Sequence, residues 1–113
     1  MGNTSMQVTD ELQFGLTHLT VQTLVHIFAS HAKVQRALIY GSRAMGNFRE
    51  GSDIDLALDA PDLTYAEKLA IDLAIADTNI PYLVDLSVMH SLTQADLLDH
   101  IERVGRVLYA RGK

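Results

Sequence analysis

"GSRAMGNFREGSDIDL", residues 41–56, decides how this chain is read. It opens on a Gly-Ser pair and closes on Asp53 and Asp55, with ten residues between Ser42 and Asp53. The apolar run "RALIY" (36–40) leads into Gly41 and predicts a buried strand. Asp53 starts "DIDLALD" (53–59), which alternates. Ile54, Leu56 and Leu58 point one way; Asp53, Asp55, Ala57 and Asp59 point the other. Along one strand face the two carboxylates sit roughly 6–7 Å apart. Like charges at that spacing repel, and burying them costs more.

The rest of the chain supplies elements around this stretch. Thr17 is placed to cap a helix in which Val21, Leu24, Val25 and Phe28 share a face, ending near His31. Pro61 ends the aspartate strand, and Thr64 with Glu67 forms a capping-box pattern for a helix over about 65–78. "YLVDLSV" (82–88) predicts a third strand, with Val84, Leu86 and Val88 on one face and Leu83, Asp85 and Ser87 on the other. Ser91 or Thr93 is placed to cap a last helix that Gly105 stops, and "RVLYA" (106–110) predicts a short closing strand. The order implies an α/β (α+β) fold, a small mixed β-sheet flanked by helices. Residues 1–13 are expected as a flexible N-terminal segment and 14–113 as a single domain.

Composition narrows the function classes. The 113 residues carry nine Lys and Arg against fourteen Asp and Glu, a net charge of −5. Phosphate-backbone binding needs a basic face, so direct nucleic-acid binding is disfavoured. There is no cysteine, hence neither a disulfide framework nor a thiolate metal site. No secretory signal or membrane-length apolar run is visible, so a cytoplasmic protein is expected. The acidic balance suits a small ligand carried with a cation, or a basic protein partner.

Asp85 interrupts an apolar strand, where Asp is disfavoured. If its strand neighbours the first pair, it joins Asp53 and Asp55. Three carboxylates around one or two Mg²⁺ ions suit phosphoryl or nucleotidyl transfer. Gly41 lets backbone approach a phosphate, Ser42 adds a hydroxyl, and Arg43 is a candidate charged contact. Ser52 is a further candidate nucleotide contact, with shaping of the turn as its alternative. Singly these features are ordinary: a lone Asp-x-Asp is most often a solvated face, and a lone Gly-Ser is a turn. Their combination points to a site. His18, His26, His31, His90 and His100 show no zinc-ligand clustering and read as structural or surface residues.

The stretch resembles the signature of the minimal nucleotidyltransferase (MNT) proteins within the DNA polymerase β-like nucleotidyltransferase superfamily. Gly41, Ser42, Asp53, Asp55 and Asp85 each match, Gly46, Gly51 and Ser52 fit the usual form, and Met45 departs from a common Arg. The likeness covers roughly residues 14–110. It implies the nucleotidyltransferase fold, with Asp53, Asp55 and Asp85 as metal ligands and catalytic residues, and ATP with Mg²⁺ as nucleotide and cofactor. Family members of this size often are antitoxins paired with a HEPN-domain toxin, some transferring AMP to a toxin tyrosine. A hetero-oligomer with such a toxin is therefore expected. The alternatives are an antitoxin acting by binding alone, and a transferase for a small-molecule hydroxyl.

Overall fold

The structure, a computed structural model, describes residues 12–112. Helix α1 spans His18–Ala29; Thr17 caps it, its hydroxyl accepting from the Thr20 amide at 3.3 Å. Strand β1 is Arg36–Tyr40, followed by a single helical turn, α2, at Ser42–Met45. Strand β2 is Ile54–Asp59, helix α3 is Tyr65–Ala76, and strand β3 is Val84–Val88. A 3₁₀ turn at Met89–Ser91 leads to helix α4, Ala95–Val104, and strand β4, Arg106–Ala110.

The four strands form one mixed sheet in the order β3-β2-β1-β4. β1 pairs antiparallel with β2 and with β4, and β2 pairs parallel with β3. The parallel pair follows from α3, since parallel neighbours need a crossover rather than a hairpin. β1 is central and buried on both faces, as its unbroken apolar run requires. Ala37 and Ile39 join Ile54, Leu56, Leu58, Leu86 and Leu108 under α1 and α3 in the larger core. Leu38, Tyr40 and Ala57 emerge on the opposite face, where Ile101 of α4 covers them. One sheet face therefore carries two helices, and the other carries one.

Most of the expected elements are present with shifted ends. The capping box at Thr64 forms both bonds: Glu67 N to Thr64 Oγ1 at 3.1 Å, and Thr64 N to Glu67 Oε1 at 2.8 Å. Helix α3 stops at Ala76 rather than at 78; the Thr78 hydroxyl donates to the Ile75 carbonyl at 2.6 Å in place of a further helical turn. The link from β1 to β2 is not a plain turn, because it starts with α2. Neither Ser91 nor Thr93 caps the last helix: Ser91 ends the 3₁₀ turn, and Gln94 stands at the N-cap without a side-chain bond. Gly105 does end α4, with extended backbone rather than a left-handed cap. A Cβ there would collide with the carbonyl oxygen of Ile101. Residues 1–11 of the expected flexible segment lie outside the described residues, while Gln13 pairs with Leu16 in an isolated bridge. No helix among the described residues is long and apolar enough to cross a membrane.

Candidate active site

Register brings the aspartates together. Asp55 stands opposite Asp85 in the parallel β2/β3 ladder and opposite Tyr40 in the antiparallel β1/β2 ladder. Laterally paired residues share a sheet face, so all three project on the side covered by α4. Asp53 lies one residue ahead of β2, two positions before Asp55. Asp53 and Asp85 are exposed, and Asp55 is half-buried. Burial, then the Asp85 and Asp53 charges, push the Asp55 carboxyl above the usual carboxylate range, while His100 pulls it down. Each of these groups is therefore close enough for its charge to matter to Asp55.

Gly41 closes the site on the β1 side. Its backbone has φ +74° and ψ −153°, and a Cβ there would lie 2.5 Å from Oδ2 of Asp55. Only glycine adopts those angles freely and admits a carboxylate so close to the chain. Gly41 also starts α2, its carbonyl accepting from the Met45 amide at 3.1 Å, and Ser42, the first residue of that turn, is partly exposed.

Arg43 has another place than the expected phosphate contact. It is 3% exposed. Its Nε and Nη2 donate to the Ser52 carbonyl at 3.2 and 2.8 Å, and Nη1 donates to the Phe14 carbonyl at 2.9 Å. The guanidinium stacks between Phe48 and Tyr82, 4.9 and 4.8 Å from their ring centres. These contacts make it the tie that holds the loop carrying Ser52 and Asp53. Ser52 likewise shapes that loop: its hydroxyl accepts from the Arg49 amide at 2.9 Å.

Two neighbours of the carboxylates, Tyr40 and His100, carry no functional signal in the sequence, which reads them as packing, structural or surface residues. Tyr40, opposite Asp55 in the ladder, is buried; burial raises its phenol pKa, as do the Asp55 and Asp85 charges, and the Ser87 hydroxyl works the other way. His100 of α4 meets the Tyr40 ring edge-on at 6.1 Å. No spacing rule ties residue 100 to residue 55. Only the seating of Ile101 against the sheet brings His100 there.

The donor set of Asp53, Asp55 and Asp85 is all hard oxygen, the chemistry that suits Mg²⁺ rather than a thiolate or imidazole metal. Among the described residues no three His, Cys, Asp or Glu side chains form a group able to hold a metal ion by themselves. Mg²⁺ commonly takes only one or two carboxylates and completes its shell with phosphate oxygens and water, so this donor set fits an ion that arrives with a nucleotide.

The family described as Polymerase beta, Nucleotidyltransferase matches residues 22–113. No curated protein matches the sequence. Among solved structures, a chain from a toxin-antitoxin crystal structure with AMP-PNP is 22% identical, with TM-score 0.66 over 80% of this chain and 73% of that one. A chain from the complex of tri-AMPylated Shewanella oneidensis HEPN toxin with MNT antitoxin is 21% identical, with TM-score 0.61 over 82% and 71%. A putative nucleotidyltransferase from Sulfolobus solfataricus is 14% identical, with TM-score 0.53 over 82% and 78%. At such identities these likenesses speak for the fold alone.

Proposed function

The chain belongs to the polymerase beta nucleotidyltransferase family, and from that premise we propose that it is an Mg²⁺-dependent enzyme transferring AMP from ATP to a tyrosine of a HEPN-domain toxin. The observation that carries this reading is the approach of Gly41 to Asp55, with Asp85 in register beside it. A glycine backbone, a serine hydroxyl and convergent carboxylates are what a triphosphate with a hard cation needs.

In this reading Gly41 and Ser42 cradle the triphosphate. Arg43 and Ser52 hold the loop that presents Asp53. Asp53 and Asp55 would hold the Mg²⁺, and Asp85 stands beside Asp55 in register. Bound there, the ion would supply charge stabilisation at the phosphates and ease ionisation of the acceptor. The acceptor oxygen forms a bond to the α-phosphorus of ATP. The bond from that phosphorus to the bridging oxygen of the β-phosphate breaks, and pyrophosphate leaves with the electron pair. Asp85, the exposed member of the set on the edge strand, takes the acceptor proton. A tyrosine hydroxyl ionises near pH 10, so a positioned carboxylate contributes about 10²–10⁴-fold.

The acceptor assignment draws on the solved complex in which an MNT antitoxin sits with a tri-AMPylated HEPN toxin. This reading takes the protein to be cytoplasmic, working in a hetero-oligomer through a single domain over 14–113. The test is incubation with labelled ATP, Mg²⁺ and the protein encoded by the adjacent gene. Added AMP units on a tyrosine of that protein support the reading. A stable complex without any mass increase leaves neutralisation by binding alone. Efficient modification of a small molecule with no partner present points to the third alternative.

A further inference from the structure

Helix α3 turns a wholly apolar face to solvent. Tyr65, Leu69 and Leu73 repeat every fourth residue and are 83%, 45% and 62% exposed. Ala66, Ala70 and Ala76, also exposed, complete that face. The core side is apolar too, through Ile71 and Ile75. The charged groups of the helix lie on its flanks and are paired there: Glu67 with Lys33 at 3.1 Å, and Lys68 with Asp72 at 2.8 Å. A helix that is apolar on both sides is normally covered on both sides.

Charge identifies what covers it. Asp62 stands exposed just before the helix, and Asp77 stands exposed at its C-cap. They flank the twelve-residue helix, which is about 18 Å long. A second copy is a poor occupant. Symmetric antiparallel pairing of α3 would set Asp62 of one copy against Asp77 of the other; parallel pairing would set each against its own counterpart. Either way carboxylate meets carboxylate at both ends. Asp77 also adds negative charge where the helix dipole is already negative, which a cation there would offset.

We infer that the outer face of α3 docks an apolar helix of a different protein, one bearing Lys or Arg near both ends of its contact. α3 packs on the sheet face opposite the carboxylates. A partner seated here leaves Asp53, Asp55 and Asp85 open. The docking stands on α3 alone; that it serves to deliver an acceptor rests on the transferase reading above.

The test uses the full chain with the protein encoded by the adjacent gene, following complex formation by calorimetry and sedimentation. Leu69→Glu/Leu73→Glu should weaken the complex by about tenfold or more, with thermal stability and Mg²⁺–ATP binding unchanged, since both leucines are exposed. Asp62→Lys/Asp77→Lys should weaken it as well, more so at low salt. A complex of wild-type affinity in the leucine variant, or no complex with the wild type, overturns the inference. So does a wild-type homodimer that the leucine variant turns into monomer. If docking follows the variants as expected but no AMP is ever transferred, the docking face stands and the transferase reading fails.

Discussion

Oδ2 of Asp55 lies 2.5 Å from where a Cβ on Gly41 would be. Backbone and carboxylate thus share a space with no room for a methyl group. Gly41 also has φ +74°, a conformation that strains any L-residue. Gly41→Ala is therefore expected to displace Asp55, to cost about 1–3 kcal/mol of stability, and to abolish nucleotide binding. Urea denaturation and calorimetry with Mg²⁺–ATP check both parts. Wild-type nucleotide affinity in Gly41→Ala would count against the cradle.

Asp53→Asn and Asp85→Asn should separate. Asp53 flanks the half-buried Asp55 and is expected to hold the cation, so its amide loses both Mg²⁺–ATP binding and transfer. Asp85→Asn is expected to keep most binding and lose about 10²–10⁴-fold in single-turnover rate. A parallel loss of binding and rate in Asp85→Asn reassigns it as a metal ligand. No loss of either makes it a surface residue.

Asp55 is pushed toward its neutral form by burial and by the Asp85 and Asp53 charges. In the absence of divalent metal, Asp55→Asn removes a charge that the fold disfavours. It is expected to melt a few degrees higher than wild type at neutral pH while losing nucleotide-dependent stabilisation. Thermal scans with and without Mg²⁺–ATP test this, and a lower melting temperature in metal-free buffer would show that the repulsion is negligible.

Arg43 distinguishes structure from ligand contact. Arg43→Lys strips the paired donors from the Ser52 carbonyl and unstacks the guanidinium from Phe48 and Tyr82. The expected cost is about 1–3 kcal/mol for a carbonyl left unpaired, measured by denaturant unfolding. Undiminished stability together with weakened ATP binding would instead restore a phosphate role.

The Glu67 carboxyl is held below the usual range, first by the Thr64 amide and then by Lys33. A depressed folded-state pKa adds stability above the unfolded pKa, and that contribution disappears as pH falls through the folded value. Glu67→Gln should therefore flatten the acid side of the stability profile between those two values and leave its alkaline side unchanged in shape. Melting temperatures across the carboxylate range provide the check.

The elements and the two-faced strands were legible in the sequence because they depend on neighbours along the chain. Alternation at 53–59, the apolar run at 36–40 and the Thr64 capping box each operate within a few residues, and each was found. The motif residues Gly41, Ser42, Asp53, Asp55 and Asp85 could be selected for the same reason, by residue type and spacing. Where ends shifted, side chains competed with the backbone, as Thr78 does at the end of α3.

Only tertiary structure decided which of those residues meet. The β2/β3 register sets Asp85 opposite Asp55, and no local pattern dictates a register between strands separated by a helix. Arg43 looked like a free cation in a phosphate loop, yet the Phe14 and Ser52 carbonyls and the Phe48 and Tyr82 rings claim it. His100 reaches Tyr40, remote from it in the chain, because its neighbour Ile101 seats α4 on the sheet. Local periodicity determines which face of a strand or helix is apolar. What lies against that face depends on packing between elements, and that is where the charges of the candidate site acquired their neighbours.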